Sequence, residues 1–102
     1  QWGTGGPGYV IEDEFIDGLS NTKWTLSMAN SGPNSGGSQF FINLNDNTNL
    51  DFDKEPMMSK HPVFGEVISG FEVVESIAQV ETTQGDVPVE DVIIENATIV
   101  YN

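Results

Sequence analysis

The sequence predicts a small, mainly β module with one helix, and three kinds of stretch carry that prediction. Residues 24–28 and 39–44 alternate with period two, residues 92–101 are β-prone, and residues 69–80 place apolar side chains at helical spacing. Between the first two lies a loop dense in Gly, Asn and Ser, so residues 23–42 read as strand, long polar loop and strand. A backbone-rich loop beside aromatic side chains suits an extended peptide.

At 102 residues and 11.1 kDa the chain is one domain at most. A complete domain of this size buries roughly 60–70% of the surface its unfolded chain exposes, enough for one modest core. Three Lys and Arg against 16 Asp and Glu give a formal charge of −13, which excludes the phosphate attraction that drives nucleic-acid binding and disfavours an anionic membrane. Without cysteine there is no disulfide framework and no thiolate chemistry. No apolar run approaches the ~20 residues of a membrane span, and no leader pattern is present, so the expectation is a soluble, cytoplasmic protein. The chain opens on Gln1-Trp2, from which we expect that its true N-terminus has been lost.

In chain order, Gly3, Gly5 and Gly8 formally satisfy G-x-G-x-x-G, but the dinucleotide fingerprint needs a preceding strand and a following helix. Two residues precede it and strand-like Tyr9-Val10-Ile11 follows, so a surface loop is expected and no cofactor. In residues 24–28, Trp24, Leu26 and Met28 share one face; in 39–44, Phe40, Ile42 and Leu44 share one face and Phe41 and Asn43 the other. Phe41 is therefore an apolar residue needing a partner, and periodicity alone favours packing under a loop or helix.

Residues 43–55 place Asn45, Asn47, Asn49, Asp51, Asp53 and Glu55 at every second position, but without the central Gly and acid spacing of a calcium loop, so no metal is expected. His61 is the only histidine, and no catalytic triad or metal cluster can be built around it. Residues 63–68 read as another strand. Ser69 and Glu72 have capping-box spacing, with Ile68 and Val73 as a staple, which predicts a helix from Ser69 to about Val80 that buries Phe71, Val74, Ile77 and Ala78. Gly85 and Pro88 mark a loop before a final strand with Val92, Ile93, Ile94 and Ile99 as core.

The run LSMANSGPNSGGSQFFI, residues 26–42, resembles the signature of the cyclophilins, which are peptidyl-prolyl cis-trans isomerases. Gly3-Thr4-Gly5-Gly6, His61-Pro62-Val63-Phe64-Gly65-Glu66-Val67 and the helix at Ser69 follow in the family's order. The resemblance implies part of an eight-stranded antiparallel closed β-barrel with a capping helix. It covers only the second half of that domain, so the N-terminal strands and first helix are expected to be missing from this chain.

The barrier to rotation about an X-Pro bond is about 20 kcal/mol, because amide resonance is lost on twisting. The resemblance implies that proline enters an apolar pocket while an arginine donates to the imide nitrogen, with a glutamine assisting and neither a covalent step nor a cofactor. Lowering the barrier by about 5 kcal/mol accelerates exchange by nearly four decades. It assigns Phe41, Leu50 and His61 to the proline pocket, with Asn30, Phe41 and His61 as catalytic. Ala29, Asn30 and Ser31 form a ledge for the substrate backbone, and Met28 is also substrate-binding. Gly3, Thr4, Gly5 and Gly6 line the pocket for the residue two before proline, and Gln39 reaches toward the arginine. The family places that arginine, with a Phe, a Met and a Gln, on the strand before the glycine loop, which has no counterpart here.

The implied partners are proline-containing peptides and the N-terminal half of the same domain, possibly on another chain. Asn49 stands where many members have a Trp that contacts cyclosporin, and the insertion at residues 52–60 is longer than in the commonest members. Cyclosporin is therefore expected to bind weakly, and a titration of the complete domain giving tight inhibition would count against this. Two alternatives are a non-catalytic proline-peptide binding module and a structural fragment that completes a barrel.

Overall fold

The computed structural model describes residues 4–51 and 60–101, and the chain divides into two compact units, Gln1–Ser69 and Gly70–Asn102. In the first unit, β1 (Thr25–Met28), β2 (Phe40–Ile42) and β3 (Val63–Glu66) form an antiparallel sheet in the order β2-β1-β3. Among the described residues the sheet is open and has three strands, part of what an eight-stranded barrel contains, and closure is not seen in them.

The register pairs Leu26 with Ile42, Ser27 with Phe41 and Met28 with Phe40. A bulge between Leu26 and Ser27 shifts the β1–β3 pairing, so that Ser27 meets Val63 and Phe64 lies in the irregular step. The two faces of the sheet reverse the ordinary expectation. Ser27 and Asn43, on the nominally polar side, are 0% and 1% exposed, whereas Phe40 and Phe64 are 47% and 55% exposed and meet edge to face at 6.4 Å. Among the described residues the fully buried side chains are Asn21, Ser27 and Asn43, and the buried apolar ones are only Pro62 and Val63, the latter 7% exposed. The first unit is thus held by a polar interior, and its apolar face is open.

Trp24 lies outside β1 at φ 75°, a left-handed conformation that an aromatic residue rarely adopts. The backbone requires it. Trp24 N donates to Asn43 O at 2.7 Å, and Val67 N donates to Trp24 O at 2.8 Å, so this residue bonds both neighbouring segments at once. Replacing Trp24 by Gly removes the strain but also the stacking of the Lys23 ammonium over the indole at 5.3 Å. In the full-length protein we expect Trp24→Gly to hold stability or raise it by up to about 1 kcal/mol. Thermal unfolding checks this, and a clear drop in Tm would show that the indole outweighs the strain.

The second unit contains α1 (Phe71–Ala78), shorter than the helix expected from Ser69 to about Val80. Gly70, not Ser69, is its N-cap, and no side chain caps the helix. At φ 76° Gly70 turns the chain immediately before the first helical residue, so Ser69 is outside and the capping box does not form. Ile68, expected as half of the staple, is exposed, and no residue of α1 is buried. Residues 81–89 make a tight turn closed by Val89 N to Glu81 O at 2.9 Å and Thr83 N to Val87 O at 2.7 Å. Residues 92–101 form no strand, and Val92, Ile93, Ile94 and Ile99 are exposed rather than core. Strand propensity expresses the fit to a neighbouring strand, and among the described residues this segment has none.

Candidate functional site

The ring of Phe41 on β2 meets that of His61 edge to face, with centroids 5.3 Å apart at 83°. His61 Nδ1 donates to Met28 O at 2.9 Å. Because a carbonyl can only accept, Nδ1 carries the proton in this contact. Leu50 ends the 3-10 turn Thr48–Leu50, and its carbonyl accepts His61 N at 3.1 Å. The structure thus brings Phe41, Leu50 and His61 to one place from three separate stretches of sequence.

The ledge continues from β1. Met28 N donates to Pro62 O and Ala29 N to Gln39 O, both at 3.0 Å. The Asn30 side chain is locked at both ends: Nδ2 donates to Lys60 O at 2.7 Å and Oδ1 accepts Gly32 N at 3.2 Å. Ser31 N donates to Ser35 Oγ at 2.8 Å, and that hydroxyl donates to Gly32 O. A reciprocal pair fastens the loop tip: Asp13 N to Asn34 Oδ1 and Asn34 N to Asp13 Oδ2, each 2.9 Å. The Gly, Asn and Ser composition is therefore the material of a bonded loop.

Beside the ledge is a cleft of about 360 Å³, lined by Gly5, Gly6, Ala29, Asn30, Ser31 and Gln39 among others. Gln39 Nε2 donates across it to Gly5 O at 3.3 Å. Thr4 is described but does not line this cleft, and Gly3 lies outside the described residues. Residues 52–59, which contain Asp53, Glu55 and most of the expected insertion, also lie outside them. Among the described residues no three His, Cys, Asp or Glu side chains cluster as a metal site. Within residues 43–51, Asn43 Oδ1 accepts Asn47 Nδ2, and the Asp51 carboxylate accepts Ser20 Oγ and Asn21 N.

The sequence reading missed that last group. Asn21, Ser27, Asn43 and Asp51 are buried and mutually bonded, and Lys60 is buried nearby with Nζ on Asn49 O at 3.4 Å. Among the described residues every buried side-chain nitrogen or oxygen has a partner. For Ser27 and Asn43 the signal was their place on Phe41's side of the alternation. Asn21 and Asp51 carried none.

Compared with known families, residues 1–99 match the model of the cyclophilin type peptidyl-prolyl cis-trans isomerases. The chain belongs to this family. It is 46% identical over 101 residues to a peptidyl-prolyl cis-trans isomerase of Arabidopsis thaliana, covering 95% of this chain and 15% of that protein. With peptidyl-prolyl cis-trans isomerase B of Streptomyces anulatus it shares 43% over 101 residues, covering 95% of this chain and 54% of the relative. The chain spans about half the length of the bacterial relatives it matches. The crystal structure of a cyclophilin type isomerase of Cryptosporidium parvum superimposes with a TM-score of 0.82 at 29% identity, over 99% of this chain and 62% of that one. That cyclophilin was also crystallised in the presence of the dipeptide Ala-Pro, a structure 28% identical to this chain that superimposes equally well, with a TM-score of 0.82. Among the described residues no helix is long and apolar enough to cross a membrane.

Proposed function

We propose that this chain supplies the proline-binding half of a peptidyl-prolyl cis-trans isomerase site, and that catalysis needs the other half of the domain, on the same polypeptide or another. The observation that carries this reading is the Phe41–His61 wall, in which a phenyl edge, an imidazole fixed by Met28 O and the Leu50 turn converge beside a backbone ledge. An apolar wall of this kind suits a pyrrolidine ring, and the ledge suits the residues before it. The family relatives support the reaction assigned, and the crystal structure with Ala-Pro supports the ligand class.

The chain's three cationic residues are Lys23, Lys54 and Lys60, so the arginine that polarises the imide must come from the other half. The same composition favours one second reading, a proline-peptide binding module without catalysis. Proline exchange measured by NMR on the chain assembled with the other half of the domain separates the two. Acceleration well above the spontaneous rate, saturable in X-Pro peptide, is expected. Saturable binding with exchange at the spontaneous rate would favour the binding module.

A further inference from the structure

We infer that Asn21 is a positioning residue for the proline pocket, setting the spacing of its three walls from beneath; this rests on the pocket reading above. Asn21 is 1% exposed and uses its whole hydrogen-bonding capacity. Its Nδ2 donates to Asp51 Oδ1 at 2.9 Å and to His61 O at 3.1 Å. Its Oδ1 accepts Ser27 Oγ at 2.5 Å and Asn43 Nδ2 at 3.2 Å. Both targets of Nδ2 are pure acceptors, so the amide cannot be flipped.

Each partner leads to one wall. Asp51 follows Leu50 directly and also receives Asn21 N at 2.8 Å. The carbonyl bonded by Nδ2 is that of His61 itself. Ser27 is the register partner of Phe41 and precedes Met28, whose carbonyl holds the His61 ring, while Asn43 lies on Phe41's side of the same segment. One planar side chain therefore ties together three segments that are distant in sequence. A buried, saturated network of this kind is rigid, and binding geometry is sensitive to displacements of an ångström.

The double replacement N21D with D51N tests this in the full-length protein. It keeps the net charge and a carboxylate–amide pair in the core, and an Asp at position 21 can still accept from Ser27 and Asn43, but an amide NH₂ in the place of Asp51 Oδ1 no longer accepts the backbone N–H of residue 21. The bond to His61 O is lost because a carboxylate cannot donate. We expect a lowered Tm in a protein that still folds, because His61 O and the backbone N–H of residue 21 lose their partners, and affinity for an Ala-Pro peptide lowered about tenfold. Unchanged affinity in a protein whose wild type binds the peptide would overturn the inference. A wild type that does not bind would instead overturn the pocket reading. If the double variant does not fold, the side-chain NH₂ resonances of Asn21 in wild-type protein decide. They are expected to shift on saturation with the peptide, and resonances unmoved by a peptide that binds elsewhere in the spectrum would overturn the inference.

Discussion

The 102-residue chain, isolated as a monomer, is expected to show no cooperative unfolding transition. Stability in a domain this size is a small remainder, about 5–15 kcal/mol, of much larger opposing terms. Burying a Phe side chain contributes ~1.5–3 kcal/mol, and Phe40 and Phe64 forgo about half of that at 47% and 55% exposure. Ile11, Ile16 and Leu19 are also exposed, around a cleft of about 260 Å³ that runs between them and Val63. β2 and β3 each present an outer edge to which no described strand pairs, a template for association. The polar network under the pocket fixes local geometry but cannot replace that apolar burial, because exchanging water for protein partners yields only about 1 kcal/mol per hydrogen bond. Heat or urea unfolding of the isolated monomer is the check, and a single sigmoidal transition would show that the open face is not a thermodynamic deficit.

In the full-length protein, Asp51→Ala is expected to cost about 3 kcal/mol or more, among the largest effects of any single replacement in this chain. The Asp51 carboxylate is 8% exposed and accepts from Ser20 Oγ, from Asn21 N and from Asn21 Nδ2. Truncation leaves a buried backbone N–H and half of a buried amide unpaired, and each such group costs about 1–3 kcal/mol. It also opens a void beside Leu50 and the 3-10 turn. Chemical denaturation of the variant measures the loss, and a change below about 1 kcal/mol would mean that water reaches these groups and the network is not closed.

The strands were legible because alternation is a short-range signal: residues 24–28, 39–44 and 63–68 contain β1, β2 and β3, and the odd side of Phe41 marked a residue that the ring of His61 now meets. What alternation cannot report is which face finds a cover. Phe40 and Ser27 show this, since the aromatic is half exposed and the hydroxyl fully buried. Residues 92–101 failed for the same reason, their β propensity having no described strand to pair with. The helix start failed on one backbone angle, because Gly70 at positive φ separates Ser69 from the helix that its side chain would have capped. Asn21 and Asp51 were illegible for a different reason. Their partnership spans 30 positions, and nothing local in the sequence distinguishes them from solvent-facing loop residues.

The most direct test of the proline-site reading is an NMR titration of the full-length protein with an X-Pro peptide, followed at the backbone amides and aromatic rings. The expected result is saturable shifts concentrated at Ala29, Asn30 and Ser31 and at the rings of Phe41 and His61. Saturable shifts that leave those five residues unmoved, or no saturable shift at all, would contradict it.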